Sequence, residues 1–125
     1  MPSGGARLLY LTHCLLELIL GGIKLLRGTY SGFDMPPGAE KFARHHGVAL
    51  LSLALLSALV LMRGRTETEA GEICSTCLAF FHGGAVAVMM HALNTKVVLL
   101  HAPWAIGFAW HAWEARQLTR KSSTA

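Results

Sequence analysis

Three long stretches without any charged residue constrain the fold of this chain most strongly. Asp, Glu, Lys and Arg are absent from His45–Met62, Ile73–Thr95 and Val97–Trp113, which are 18, 23 and 17 residues long. A helix needs about 20 apolar residues to cross a bilayer, within a range of roughly 17–25. A helix of a water-soluble bundle would instead carry a charged face at helical spacing. The pattern therefore predicts three transmembrane helices.

A fourth apolar stretch lies near the N-terminus, although it contains His13, Glu17 and Lys24. A signal peptide has an uninterrupted apolar core followed by a small-residue cleavage site. Here Glu17 interrupts the core, and the stretch closes on Gly-Gly-Ile-Lys. We therefore expect a span here too. The predicted fold class is all-α: a polytopic membrane protein in one domain, residues 1–125, forming a four-transmembrane-helix antiparallel bundle with spans at approximately 8–27, 45–62, 73–94 and 97–115.

The charged residues that remain flank the spans. Hydrophobic residues make up 53% of the chain and charged residues 14%, and the formal net charge is +4. Soluble domains carry about 25% charged residues. Flanking positive charge favours anionic lipid and not nucleic acid as the partner. In a four-span topology the side holding both termini has the larger share of Lys and Arg, which predicts cytoplasmic termini. The basic residues counted on that side are Arg7, Arg63, Arg65, Arg116, Arg120 and Lys121.

Glu17 is the most informative single residue, because an ionisable group inside a span is costly and indicates a functional or pairing site. On a helical wheel Glu17 shares one narrow face with His13, Lys24 and Arg27. His13 is one turn away and within reach of Glu17, whereas Lys24 is about 10 Å further along the axis. His82 and His111 lie at estimated depths in their spans similar to those of Glu17 and His13, and we therefore add them to this group. The predicted buried polar cluster is His13, Glu17, His82 and His111.

Histidines are numerous, with seven in 125 residues. The half of the bundle opposite the termini is predicted to hold His45, His46, His91 and His101. Two histidines on facing helices could ligate a haem. By estimated depth His91 is level with His101, and His82 is level with His111. Since His82 and His91 are nine residues apart, they point to opposite sides of their helix. Two stacked haems on this helix pair are excluded, and one haem or chlorophyll stays open.

Cysteines define a second candidate site. Cys74 and Cys77 form a Cys-Ser-Thr-Cys pair at the start of the third span, and Cys14 lies near the same boundary. A helix N-terminus lowers the pKa of a thiol, and such a pair is used for dithiol–disulfide exchange. Membrane thiol oxidoreductases of this kind pass electrons to quinone. Zinc binding by the three cysteines and His13 is an alternative, as is a purely structural role.

Small and aromatic residues mark surfaces on the last two spans. Ala79, Gly83 and Ala87 repeat at four-residue spacing, which lets a neighbouring helix approach closely. Trp110 and Trp113 fall where an interfacial aromatic belt is expected. Trp104 fits either the belt or the bundle interior.

The close of the first span, Gly21-Gly22-Ile23-Lys24-Leu25-Leu26, resembles the DoxX-like group of small four-helix membrane proteins. The resemblance implies a four-span bundle, and members of that group are associated with quinone-linked sulfur redox chemistry. The Cys-Ser-Thr-Cys pair and the histidines of the last two spans do not belong to that group's pattern, and no functional residue is carried over.

Three functions fit the sequence. The leading one is a non-catalytic accessory, assembly or binding subunit, with the bilayer, other membrane subunits or further copies of the chain as partners. The alternatives are a membrane redox protein that uses Cys74 and Cys77 with a quinone or haem, and a proton-coupled carrier with Glu17 as the proton site.

Overall fold

The computed structural model describes residues 4–29, 36–92 and 94–123, with the side chains of the last two left out. Four helices make up most of these residues: α1 Gly4–Arg27, α2 Glu40–Met62, α3 Glu69–His91 and α4 Thr95–Ser123. No strand occurs in the described ranges. The all-α prediction is confirmed. α1, α2 and α3 are long and apolar enough to cross a membrane, and α4 is not among the helices that meet this condition.

The helices run past the predicted span boundaries at most ends. α1 begins four residues before the predicted start, α2 five residues before and α3 four residues before, while α4 continues eight residues beyond residue 115. Sequence apolarity marks the hydrocarbon layer, whereas backbone hydrogen bonding continues through polar turns outside it. α3 ends at His91 and not at residue 94, because Asn94 accepts a 3.3 Å hydrogen bond from the Val97 amide and so caps α4.

The chain divides into two compact units, Tyr10–Leu59 and Met1–Leu9 together with Val60–Ala125. We call them the α1–α2 unit and the α3–α4 unit, after the helices that each mainly contains. The expectation of a single domain stays a prediction.

The α1–α2 unit is held by a close backbone approach at two glycines. A Cβ atom on Gly47 would lie 2.6 Å from the Leu25 amide nitrogen and 2.8 Å from the Gly21 carbonyl oxygen. Any side chain at Gly47 would therefore collide with main-chain atoms of α1. Near the same end Arg44 donates hydrogen bonds to the carbonyls of Leu25 and Leu26, at 2.5 and 3.1 Å. These carbonyls belong to the last turn of α1, where a cation is favourable.

In the α3–α4 unit the two helices pack along each other. Ser75 contacts His111 and His82 contacts His101, so position rises along α3 as it falls along α4. Glu69 and Glu72 occupy the first turn of α3, as the sequence indicates. Thr68 is the N-cap residue, but its hydroxyl donates to the Arg65 carbonyl at 2.8 Å and forms no cap hydrogen bond.

Candidate functional site

The α1–α2 unit contains a buried chain of three polar side chains, Ser57, His13 and Glu17. Their exposed fractions are 0%, 0% and 2%. Ser57 Oγ lies 3.0 Å from His13 Nδ1, and His13 Nε2 lies 3.5 Å from Glu17 Oε1. A single neutral tautomer of the imidazole satisfies both contacts. In that tautomer Nδ1 accepts a hydrogen bond from the Ser57 hydroxyl, and Nε2–H points at the Glu17 carboxyl group.

The proximity of His13 and Glu17 is the part of the chain that the sequence predicts. Residues four apart on a helix are neighbours, and both belong to the buried face of α1 that also carries Tyr10 and Gly21. The 3.5 Å separation is longer than an ordinary N–H···O hydrogen bond but within ion-pair reach. The Glu17 side chain is thus buried in the structure and lies beside His13. Its predicted approach to α3 stays a prediction.

Ser57 is the member that sequence reasoning missed. A single serine among leucines in an apolar helix does not by itself indicate a functional site. Its spacing could have placed it on the buried face of α2, because Leu50, Ala54 and Ser57 follow one another at helical intervals and all three are buried. A polar group on such a stripe requires a partner, since an unsatisfied hydroxyl in hydrocarbon is costly. Ser52, on another face of α2, is exposed and instead donates to the Val48 carbonyl one turn back.

The remaining basic residues of the predicted α1 stripe lie apart from this chain. Lys24 Nζ is 3.4 Å from His46 Nδ1, and Arg27 is exposed. Long basic side chains near the end of a span are expected to extend to the membrane surface, and this is the expectation for Lys24 and Arg27. In the structure Lys24 is half-buried and reaches across to α2. The reason is that Gly21 and Gly47 hold the two helices close together at this end.

In the α3–α4 unit the histidines pair differently from the predicted levels. His82 Nδ1 lies 2.8 Å from His101 Nδ1, and His111 Nδ1 lies 2.7 Å from Ser75 Oγ. Residues of α3 and α4 that lie at the same height are found by counting outwards from the connection between the two helices. His82 is ten residues before Ala92 and His101 is seven after Asn94, a mismatch of less than one helical turn. The observed contacts therefore place His82 level with His101 and Ser75 level with His111, whereas the depth estimate put His82 level with His111 and His91 level with His101.

The His82–His101 pair is enclosed by aromatic rings. The ring of Phe108 stacks on His82 with centroids 6.3 Å apart and planes 6° apart. Phe81 and Trp104 contact His82 from other directions, at 5.2 and 6.4 Å. Trp104 therefore packs inside the unit, which resolves the two placements left open for it. One Nδ1–H donates to the other Nδ1, so the pair is a hydrogen bond inside an apolar pocket.

The Nδ1 atoms of His82 and His101 are too close together to hold a haem iron between them. Two imidazoles on opposite sides of a metal ion, each about 2 Å from it, would hold their nitrogens about 4 Å apart. The observed separation is 2.8 Å. His45 and His91 are exposed, and His46 contacts Lys24. In the α3–α4 unit, His82 and His101 therefore contact each other directly, and His111 contacts Ser75.

The three cysteines form no disulfide in the structure. Cys74 is buried, Cys77 is exposed and Cys14 is half-buried. Both imidazole nitrogens of His13 already contact Ser57 and Glu17, so zinc binding there would displace one of these contacts. Thiol redox chemistry at Cys74 and Cys77 stays a prediction.

No protein-family model, curated protein or solved structure matches this chain.

Proposed function

We propose that the protein is a non-catalytic integral membrane subunit that associates with a second copy of itself through one exposed face of α3. The observation that carries the proposal is the composition of this face. Its residues, all exposed, are Cys77, Phe80, Gly84, Ala87 and His91.

A face that meets only lipid does not require such residues. Helix–helix contacts in membranes are enriched in small residues, and polar side chains in spans turn towards protein. The exposed side of α1 provides the contrast, since it presents Leu11, Leu15 and Leu18. Of the small-residue stripe that the sequence indicates, Ala87 lies on the exposed α3 face, whereas Ala79 and Gly83 are half-buried at its edge.

The exposed α3 face is also self-complementary in shape. Phe80 is 84% exposed and projects from the helix. Gly84 follows one turn later, and a Cβ atom there would meet nothing within 4 Å. A two-fold pair places the same patch on both chains. Phe80 of one copy can then fill the space above Gly84 of the other, which makes a second copy the occupant that this face fits best.

Disulfide crosslinking tests the association directly. In membranes containing a variant with Cys77 as its only cysteine, mild oxidation is expected to give a covalent dimer on a non-reducing gel. Adding Gly84→Leu to that variant is expected to abolish the dimer, because the leucine occupies the space intended for Phe80. The matched control moves the single cysteine to the Leu15 position, on the leucine face of α1. Equal dimer yields from both positions, or none from Cys77, would contradict the proposal.

We further infer a four-span antiparallel bundle of the DoxX-like type with both termini in the cytoplasm. In support of this, α4 is 29 residues long and packs along α3, one of the three sufficiently apolar helices. Its polar groups His101 and His111 are paired with α3 side chains, which lowers the cost of placing them in the membrane. Reporter fusions are expected to place the N- and C-termini on the same side. Termini on opposite sides would show that the chain crosses three times.

A proton-coupled carrier is the second candidate, and the Ser57–His13–Glu17 chain is the observation that favours it. A carboxylate, an imidazole and a hydroxyl in contact are the groups from which membrane proton relays are built. In proteoliposomes under a pH gradient, Glu17→Gln is expected to remove any proton flux that the wild-type protein shows. Equal flux from both proteins, or none from the wild type, would eliminate this function.

A further inference from the structure

The α3–α4 unit has an open cavity of about 670 Å³ beside the start of α3 and the last turns of α4. This volume falls within the roughly 300–1,000 Å³ typical of small-molecule sites. His111 and Ala115 are its buried lining residues. Ser75 fixes the His111 ring through the 2.7 Å hydrogen bond, so this part of the wall is rigid.

The other lining groups combine both signs of charge with an apolar side. Glu67, in the turn before α3, and Glu114, in α4, both bring carboxylates, and both act electrostatically on His111. Lys121 brings an ammonium group, and Gln117 an amide. Trp113 and Leu118 provide the apolar side and are 54% and 45% exposed. Two carboxylates and one cation fit a zwitterionic ligand with an ammonium end and an anionic end.

The position of the cavity indicates where such a ligand comes from. Glu67 lies two residues before α3, one of the helices able to cross a membrane, so the cavity lies at the end of that span. Trp113 forms an exposed pair with Trp110, with ring centroids 5.2 Å apart. Exposed tryptophans are typical of the headgroup level of a bilayer. The ligand source at this level is phospholipid.

We propose that this cavity binds the headgroup of an ethanolamine phospholipid. The primary ammonium donates hydrogen bonds to Glu67 and Glu114, the phosphate accepts from Lys121, and the first part of the acyl region lies against Trp113 and Leu118. Hydrogen bonds between charged groups are the strong ones in such a site. A choline headgroup has the same charges but no N–H to donate, and an anionic headgroup would meet two carboxylates. The proposal is independent of dimer formation through the exposed α3 face.

Native mass spectrometry tests the specificity. The full-length protein is reconstituted with equal amounts of ethanolamine, choline and glycerol phospholipids, and the lipids that it retains are counted. Retention of the ethanolamine lipid is expected to exceed that of each of the others by about tenfold, the scale of one charge-assisted hydrogen bond. Equal retention of the ethanolamine and choline lipids, or preference for the glycerol lipid, would overturn the proposal without any variant.

Substitutions then locate the site. Glu67→Gln combined with Glu114→Gln is expected to lower ethanolamine-lipid retention to the choline level, and Lys121→Gln to lower retention of all three lipids. The matched control is Glu69→Gln with Arg120→Gln, since these two residues are close in sequence to Glu67 and Lys121 but do not line the cavity. Unchanged helix content and a single gel-filtration peak verify folding. Unchanged lipid selectivity in the folded double carboxylate variant would place the lipid elsewhere and overturn the assignment.

Discussion

Replacing Gly47 with leucine is expected to abolish the native packing of α2 against α1. The atoms that a side chain would meet at Gly47 are the Leu25 amide nitrogen and the Gly21 carbonyl oxygen, 2.6 and 2.8 Å from the new Cβ. Both are main-chain atoms of a helix, so neither can rotate away as a side-chain end would. Overpacking a well-packed site costs about 1–3 kcal/mol, and a backbone collision lies at or above the upper end. We expect a loss of about 3 kcal/mol or more in the free energy of unfolding, measured by denaturant titration in detergent micelles.

The matched control for this substitution is Gly22→Leu. Gly22 is in the same helix as Gly21, but a Cβ atom there would meet nothing within 4 Å. Both variants add the same side chain and remove the same glycine flexibility. Gly22→Leu is therefore expected to change stability by only about 0.5 kcal/mol or less. Equal effects at the two positions would show that helix propensity, and not the close approach, governs the result.

The apolar character of α2 and α3 could be predicted from the sequence because it depends on composition, and a charge-free window marks each of them. α1 is apolar enough to cross a membrane despite Glu17 and Lys24, whereas α4 is not among the helices that meet the condition although it contains a charge-free window. The inward orientation of Glu17 follows in the same way, since its cost in lipid is a property of the residue itself. The helix ends were less predictable. Hydropathy does not register the polar turns that extend α4 beyond residue 115.

The side-chain partners depended on details that spacing alone does not provide. α3 ends at His91 and α4 begins at Thr95, two to three residues earlier than the predicted boundaries at 94 and 97, and this accounts for part of the change from the predicted level of His82 with His111 to the observed contact with His101. Each residue of error at the turn shifts the facing position on the second helix by two. Ser57 escaped notice because its role depends on which face of α2 meets α1. That face is fixed by Gly47, which lies close to the main chain of α1, and a hydropathy pattern does not reveal such a close approach.

Replacing His13 with leucine is expected to destabilise the α1–α2 unit strongly, whereas Glu17→Gln should have little effect. Leucine removes the group that lies between Ser57 and Glu17, and both of these side chains are buried. Leaving a buried polar group without its hydrogen-bond partner costs about 1–3 kcal/mol, because the group stays in a medium that solvates it poorly, and the loss of His13 leaves two such groups. Glutamine keeps a carbonyl oxygen towards the imidazole, so the expected cost is about 1 kcal/mol. Thermal unfolding followed by circular dichroism in micelles gives the order of the two variants.

The control is His45→Leu, which makes the same chemical change at an exposed histidine of α2 and is expected to be close to neutral. Ser57→Ala compared with Ser52→Ala separates the buried hydroxyl from one that bonds only to its own helix. If His13→Leu were as stable as His45→Leu, the Ser57–His13–Glu17 chain would not hold α1 to α2. The presence of Glu17 at a buried position would then be attributed to proton binding. A Glu17→Gln variant that stayed stable but had lost proton flux would also assign Glu17 to proton binding. Such a variant separates the role of the Glu17 carboxyl group in proton transfer from the role of its contact with His13 in stability.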